Sequence, residues 1–384
     1  MKKLFNFMLI ALCSIAFVAC NNNNEVETIS KKETELQKVM KPYVENTVIA
    51  TYSNMATEGL TLLEKCEGIL EAQENSKDYT TLMKEAGEAW RRMRVYWEQS
   101  EAFLFGPAAK HNIDPHIDSW PLDFNAMNSL LSNVDQMKDI EETGVDYVKD
   151  HLGYALQGFH ACEYLLFQDG QPHATNLTHA QAIYLLGVVE DLVEQAILLE
   201  DSWAGGVSAA KEAVITDDEG ESMSYDEYWA EYFLLAGQAG SIYKTNQEAA
   251  EEIIAGCVDI AGEVANLKLG NPYRGSDNGG DSEYLESPYS RTSTTDFADN
   301  IRSILHAYAG AKDGDASISD YVKSQDADLD AKVRKTIDEA IDLLGKIVDF
   351  ETTAQNNPQV KAAIDKIGEL ESILDDDVMA LLAK

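Results

Sequence analysis

The chain has 384 residues, enough for two domains of about 150 residues each. With 45% hydrophobic and 25% charged residues it has the composition of a globular protein, which excludes a largely disordered chain. Acidic side chains (67) outnumber basic ones (30), giving a formal net charge of −37. A surface this negative repels phosphate backbones, so nucleic acid is excluded as a partner.

The start of the chain has the pattern of an export signal. A basic start precedes an apolar stretch, Leu4 to Val18, of signal-peptide length and too short to span a bilayer. It ends in Ala19-Cys20, which resembles the end of a bacterial lipoprotein signal. The resemblance implies that residues 1–19 are removed, that Cys20 is lipidated, and that lipid alone anchors the protein in the cell envelope. Residues 20–31 are then a polar tether, and an ordinary secretory signal is the alternative.

Apolar residues recur at spacings of three and four along most of the remaining chain, which predicts an all-α fold. In the first half this spacing indicates helices over residues 32–74, 79–104, 125–135, 143–168 and 176–203. Short connections between long helices are typical of a bundle, so residues 32–204 are predicted to form the first bundle. A polar, glycine-rich linker is predicted over 205–223.

The second half continues the helical pattern, and residues 224–384 are predicted to form a second bundle. Its helices are expected over residues 224–245, 247–268, 296–310, 317–347 and 358–382. Between them lies a long irregular stretch, residues 270–296, rich in glycine, serine and aspartate. A loop of this length in a compact protein is usually functional or mobile.

Two charged residues stand out in the predicted helix 79–104. Arg94 and Glu101 lie close to a face that carries tryptophans, and charged groups in such surroundings need partners, so both are candidate site residues. The alternative is an intrahelical salt bridge or a side chain that extends along the surface to water. Residues 108–123 are predicted to form a loop with two histidines and three aspartates, and loops held by rigid helices often carry function.

The predicted helix 143–168 holds the strongest candidate pair. His160 and Glu163 are three residues apart, so on a helix they share one face. Gly158 just before them leaves room for a backbone or a ligand to approach closely. An imidazole with a carboxylate is a minimal ligand pair for iron or zinc, or the start of an acid/base pair. A structural hydrogen bond between packed helices fits the spacing equally well.

Several stretches of the chain together form a recognisable pattern. The motif helix contains Gly158-x-His160-x-x-Glu163 followed by Tyr164-Leu165-Leu166-Phe167. It is accompanied by Trp97-x-x-Ser100-Glu101, Gly106-Pro107, Ile117-Asp118-Ser119-Trp120-Pro121, Leu269-Gly270-Asn271-Pro272-Tyr273 and Ser290-x-x-Ser293. The combination covers nearly all of the mature chain and resembles the imelysin family (peptidase M75 class, with the proteins called iron-regulated protein A).

This resemblance implies an all-α fold of two helical-bundle halves packed around a cleft. It also implies a cell-envelope lipoprotein of the outer membrane, facing the periplasm or the exterior, that takes part in iron uptake with envelope partners. Iron is the expected cofactor and zinc the other candidate. By matching positions, the metal ligands implied are His160, Glu163, Glu101 and Asp118. Arg94 is implied as a counter-charge, and the other site residues implied are Gly158, Ser100 and Ser290.

Two other functions remain open at this stage. A metal-dependent peptidase would use Glu163 or Glu101 as a base, although the chain lacks the His-Glu-x-x-His pair of zinc peptidases. A module that binds a peptide or a partner surface without metal would use the His160–Glu163 pair only to hold its helices together.

Overall fold

The computed structural model describes residues 30–173, 177–217 and 219–384. Over these residues the regular secondary structure is helical apart from an isolated bridge between Thr216 and Ser222 and one hairpin, in which strand β1 (Phe167–Gln168) pairs antiparallel with β2 (Gln171–Pro172). The predicted all-α fold is therefore confirmed. Among the described helices, none combines the length and the hydropathy that a bilayer crossing needs. The predicted signal, the lipidation site Cys20 and most of the predicted tether lie outside the described residues.

Three long helices form the frame of the N-terminal half. Helix α2 packs along α3 and α10, and the short helix α9 lies against both α3 and α10. The helices of this half are α1 (Lys31–Pro42), α2 (Ile49–Glu74), α3 (Thr80–Glu98), α4 (Pro107–Lys110), α5 (Ile113–Ile117), α6 (Phe124–Ser132), α7 (Val134–Thr143), α8 (Asp146–His151), α9 (Gly158–Leu166) and α10 (His179–Ala204). A π-helical turn, Tyr43–Val48, joins α1 to α2, and a 3-10 turn, Glu101–Phe103, follows α3.

Four helices of the C-terminal half form a ring of neighbours: α13 contacts α15 and α19, and α17 also contacts both. The helices after α10 are α11 (Ala209–Glu212), α12 (Ala230–Leu234), α13 (Asn246–Glu263), α14 (Gly270–Arg274), α15 (Ser293–Ala309), α16 (Ile318–Gln325), α17 (Ala327–Leu344), α18 (Phe350–Thr353), α19 (Pro358–Ser372) and α20 (Met379–Leu382). Further π-helical turns, Val264–Lys268 and Ile373–Val378, extend α13 and α19.

The two halves meet where α3 ends. Helix α15 packs against α3, and α13 packs against the turn Glu101–Phe103. Gly256 of α13 permits this approach, because a side chain there would overlap the carbonyl oxygen of Ala102. The contact brings the end of α3 and its turn to the boundary between the halves. The division into bundles at residues 205–223 remains a prediction.

The predicted helix 143–168 is wrong in its bounds, because the chain leaves the helix between α8 and α9. The side chain of Gln157 donates a hydrogen bond to the carbonyl oxygen of Leu152, which a continuing helix would have used for its own backbone. It also donates to the carbonyl oxygen of Val148, which accepts the last helical bond of α8 from the N–H of Leu152. Gly158 then restarts the helix with φ +72, in the left-handed region that favours glycine. Leu152 is therefore outside the helical stripe to which its spacing assigned it.

Two other expectations also differ from the structure. The predicted helix 224–245 is reduced to α12, because Asp226, Gly237 and Gly240 all have positive φ and interrupt it. The predicted loop 108–123 contains α4 and α5 and is more regular than its composition indicated.

Candidate metal centre

A cluster of buried charged side chains lies between the two halves. Six parts of the chain contribute side chains to it: helix α3, the segment after α5, helix α9, the π-helical turn after α13, the loop before α15 and the start of α15. We call these side chains the buried cluster: Arg94, Glu98, Asp118, His160, Glu163, Lys268, Glu286 and Asp296. Buried charges require partners or a bound ion, so this arrangement is the natural place to look for function.

Arg94 joins three carboxylates of the cluster. Its guanidinium donates hydrogen bonds to Asp118 and, over 2.6 Å, to Oε1 of Glu286, and it forms an ion pair with Glu98 at 2.5 Å. The guanidinium also lies over the ring of Phe159, 5.0 Å from its centroid. The structure thus brings Arg94 into the site as a counter-charge to acids from three separate segments.

His160 points into the centre of the cluster and is 2% exposed. Its Nε2 lies 3.1 Å from Oδ1 of Asp118 and 3.9 Å from Oε1 of Glu286, yet it makes no hydrogen bond with good geometry. Ligand atoms of Asp118, His160 and Glu286 all lie within 4.8 Å of one another. Ligands bound to one ion at about 2.0–2.2 Å are separated by roughly 3–3.5 Å, so a small closure would place all three on a cation.

Glu163 has a different position from the one expected of a ligand. Its Oε1 accepts hydrogen bonds from the backbone N–H of Tyr289 (3.0 Å), from the backbone N–H of Ser290 (2.8 Å) and from the Ser290 hydroxyl (2.8 Å). Its Oε2 lies 3.4 Å from Nδ1 of His160. The predicted pair is therefore in contact, but Glu163 faces the side of the imidazole opposite Nε2, and Ser290 reaches the site by binding Glu163.

Glu101 lies at the edge of the cluster, in the turn after α3. Its carboxylate is 3.6 Å from Nζ of Lys268, and it forms a second group of nearby oxygens with Glu98 and Asp118. Burial raises the pKa of Glu101, against the opposing effect of Lys268. Ser100 is not part of either group, because its hydroxyl donates to the carbonyl oxygen of Trp97 at the end of α3.

The two histidines of segment 108–123 do not reach the cluster. His116 binds Asp191 at 2.8 Å and stacks on Tyr154. His111 stacks on Tyr225 and faces a surface glutamate. Asp118 is therefore the residue of that segment that the structure brings into the site.

Three important members of the cluster were missed by sequence reasoning. Glu98 lies close to the same tryptophan-bearing face but was not chosen as a candidate, although its spacing of four residues from Arg94 is that of an ion pair within a helix. Lys268 ends a π-helical turn, a feature that is frequent at functional sites, and it directly precedes the Leu269-Gly270-Asn271 stretch. Glu286 lies in the irregular stretch 270–296, where no periodicity marks it.

Lys268 is almost completely enclosed by acids. Its Nζ lies 3.5 Å from Glu286, 3.6 Å from Glu101, 3.9 Å from Glu98 and 4.0 Å from Glu263, and it is 5.5 Å from the centroid of the Trp120 ring. These separations are longer than direct hydrogen bonds. The ammonium therefore forms ion pairs with four carboxylates without a short hydrogen bond to any one of them.

Acids outnumber bases in this part of the molecule, and the pKa values reflect the imbalance. Burial raises the pKa of Glu286 to about 7, with Glu98 adding to the rise and Lys268 opposing it. Burial also raises the pKa of Asp296. Burial alone would lower the pKa of His160, but Asp118 and Glu163 outweigh it and raise that pKa to about 9. Without an added cation, the site retains protons to balance its charge.

Asp118 behaves in the opposite way. Burial by itself would raise its pKa, but Arg94 and His160 hold the pKa of this carboxyl well below its usual range. Its Oδ2 also accepts a hydrogen bond from Nε1 of Trp97 at 2.7 Å. Asp118 is thus an ionised carboxylate held in place from two sides, as a metal ligand must be.

Comparison with known proteins agrees with the fold. Residues 48–375 match the family model described as Imelysin, peptidase M75. Over 276 residues the chain is 28% identical to Iron-regulated protein A of Synechococcus elongatus, a match that covers 72% of this chain and 65% of that protein, slightly under two thirds of its length.

Two solved structures share the fold. A candidate iron-regulated protein A precursor from Parabacteroides distasonis is 24% identical with a TM-score of 0.75, and 92% of this chain covers 96% of it. An imelysin-like protein from Psychrobacter arcticum is 11% identical with a TM-score of 0.68, and 92% of this chain covers 98% of it. At these identities the likeness extends to the fold alone. Because the family model spans most of its length, the chain belongs to the imelysin family.

Proposed function

We propose that this protein binds iron at a centre formed by Asp118, His160 and Glu286. The observation that carries the proposal is the position of His160 Nε2, which is buried 3.1 Å from Asp118 and 3.9 Å from Glu286 and makes no well-formed hydrogen bond with any described residue. A second oxygen of the same set, Oε2 of Glu286, is also buried without a hydrogen bond. Buried polar atoms are normally paired, so two such atoms on residues of one three-residue group favour a bound ion.

The donor set supports iron as that ion. One imidazole with carboxylate oxygens suits iron, whereas structural zinc sites are rich in cysteine, and the three described cysteines outside the leader are buried elsewhere in the core. The relative from Synechococcus elongatus is named for regulation by iron, as is the Parabacteroides protein. Zinc remains the competing metal for the same ligands.

Each residue has a separate task in this proposal. Glu163 accepts the Nδ1–H of His160, which leaves the lone pair of Nε2 available for the ion. Arg94 holds Asp118 and Glu286 at a fixed separation. Loss of the protons on His160 and Glu286 would accompany binding, because the ligand forms of both groups are deprotonated.

The test is a calorimetric titration of the purified protein with Fe(II) under anaerobic conditions. We expect the His160→Gln variant to lose at least about 100-fold in affinity, because a direct ligand is removed. His116→Gln is the matched control, since His116 also pairs with a buried carboxylate but belongs to neither group of converging His and carboxylate atoms among the described residues. Equal affinity of His160→Gln and the parent protein would reject the proposal.

A metal-dependent peptidase is the second candidate, and one observation favours it. The pKa of Glu286 is about 7, and a carboxylate poised near neutrality is suited to accept a proton from water in the adjoining pocket. Cleavage of unfolded protein, lost with a chelator and with Glu286→Gln, would support this function. Tight Fe(II) binding without cleavage would reject the peptidase and support iron binding as the function. A protein that takes up neither iron nor zinc would instead fit the third candidate, a module for a peptide or partner surface.

We extend the proposal to the location of the protein. The leader pattern supports a lipoprotein anchored at Cys20, in the outer membrane of the envelope, where iron-uptake partners would be encountered. Metabolic labelling with palmitate should mark the wild-type chain and not Cys20→Ser, and only the wild type should sediment with membranes. Membrane association of Cys20→Ser at the wild-type level would contradict the anchor.

A further inference from the structure

Two adjoining pockets lead from the surface to the buried cluster. The inner pocket, of about 280 Å³, reaches Asp118, Lys268 and Glu286. The outer pocket, of about 380 Å³, runs along α13 past Gly256. Leu104, Glu101, Asp114 and Glu263 line both pockets, and Glu252 and Asp259 line the outer one. We call the five carboxylates Glu101, Asp114, Glu252, Asp259 and Glu263 the acidic groove.

The groove is built by the same contact that joins the two halves. Gly256 lets α13 lie against the turn after α3. Glu252, Asp259 and Glu263 of the same helix are spaced by seven and four residues, which places them on one face. Glu101 comes from the turn and Asp114 from α5, on the opposite wall. Acids from three elements thus face one space.

The inner end of the groove carries an independent sign of a ligand. Glu286 lines the inner pocket and is 1% exposed, and its Oε2 is buried and makes no hydrogen bond with any described residue. Lys268 is the one basic residue among the described residues that line the two pockets. A small cation moving inward therefore passes carboxylates on both walls and reaches Glu286, whose Oε2 lies 3.5 Å from Nζ of Lys268.

We infer that the acidic groove is the path by which the metal cation enters, and that its carboxylates raise the rate of association and leave the rate of dissociation unchanged. The inference rests on the proposed iron site. A cleft lined by one sign of charge concentrates counter-ions and raises on-rates, an effect that falls with ionic strength. The groove carboxylates on α13 lie outside the two groups of converging ligand atoms, so they do not hold the ion once it is bound.

Three groove residues can be neutralised without removing a hydrogen bond described in the structure. The test variant is Glu252→Gln, Asp259→Asn and Glu263→Gln, all from α13. The matched control is Asp328→Asn, Asp375→Asn and Asp376→Asn, which removes the same charge from exposed positions on α17 and the π-helical turn after α19. Comparison of the two variants separates the local groove from the overall charge of the protein.

Stopped-flow tryptophan fluorescence with Fe(II) under anaerobic conditions measures the rates. Trp97 reports on binding, because its indole N–H is bonded to Asp118. We expect the groove variant to associate about fivefold more slowly than the parent at low salt, with an unchanged dissociation rate. The difference should vanish at about 0.5 M salt, where charges are screened within a few ångströms. The control should associate as the parent does.

Each other outcome has a distinct meaning. Equally slow association in both variants would show that the overall charge of the protein, and not the groove, sets the rate, and would overturn the inference. An unchanged association rate in the groove variant would reject the groove as the path. Faster dissociation from the groove variant would make these residues ligands and also overturn the inference. Failure of the parent protein to bind Fe(II) would reject the iron site itself, and the groove with it.

Discussion

Nδ1 of His160 lies 3.4 Å from Oε2 of Glu163, while the other oxygen of Glu163 is occupied by the backbone of the loop before α15. The two residues of the motif therefore have different tasks. Glu163 fixes the orientation of the imidazole and ties α9 to the second half, and His160 offers its free Nε2 to the centre. The ligands that complete the set come from elsewhere in the chain.

Replacing Glu163 by Gln should weaken iron binding without abolishing it. We expect affinity for Fe(II) to fall about 10- to 100-fold, because an oriented imidazole is lost but no direct ligand is. Calorimetry beside His160→Gln measures the difference. A loss in Glu163→Gln as complete as in His160→Gln would show that Glu163 is itself a ligand.

Iron binding should release protons. At pH 7 a group with a pKa of about 9, as for His160, is protonated, and one with a pKa of about 7, as for Glu286, is half protonated. Both must deprotonate to bind, so protons should leave as the ion binds, and fewer should leave at pH 8 than at pH 7. Affinity therefore rises with pH. Calorimetry in buffers of different ionisation enthalpy counts the protons, and a release of none would remove both groups from the ligand set.

The metal-free protein should lose stability as the solution becomes basic. The folded-state pKa of His160 is raised to about 9 from an ordinary value of 6.5, so its stabilising contribution is complete below pH 6.5 and disappears as pH rises through 9. Thermal unfolding without metal should therefore show a falling Tm over this window. In His160→Gln the fall should be smaller, and an identical pH profile in both proteins would contradict the assignment.

Arg94 should be essential for the stability of the site. Replacing it by Met leaves three buried carboxylates without their counter-charge, which should lower the free energy of unfolding by about 3–5 kcal/mol. Arg94→Lys should recover part of the lost free energy of unfolding, since a lysine keeps the charge but cannot bridge all three acids. Urea unfolding at pH 7 measures both. An unchanged midpoint in Arg94→Met would mean that these acids are already neutral.

Gly158→Ala should damage the fold at the start of α9. Gly158 has φ +72, and a methyl group there would overlap the carbonyl oxygen of Ile117, so we expect a loss of about 3 kcal/mol or more. Gly153→Ala is the matched control, because nothing lies within 4 Å of the position its methyl group would take. Chemical unfolding of both variants should separate them clearly. Equal free energies of unfolding for the two variants would show that the backbone at Ile117 can shift to admit the methyl group at little cost.

The sequence by itself determined the helical character of the chain, the closeness of His160 to Glu163 and the need for a small residue at position 158. Each of these depends on spacing within a few residues, and helix geometry converts such spacing directly into contact. The same reasoning failed between α8 and α9, because periodicity does not register that the Gln157 side chain competes for backbone carbonyls.

Only the tertiary structure decided which acids join His160. Asp118 follows α5, Glu286 lies in an irregular loop and Lys268 ends a π-helical turn, so no common period links them in sequence. They meet because α3 packs against α9 and α15 while α13 packs against the turn after α3, and Arg94 of α3 binds acids 24 and 192 residues away along the chain. Contacts over such separations are fixed by how the hydrophobic faces of the helices pack, which local spacing does not encode.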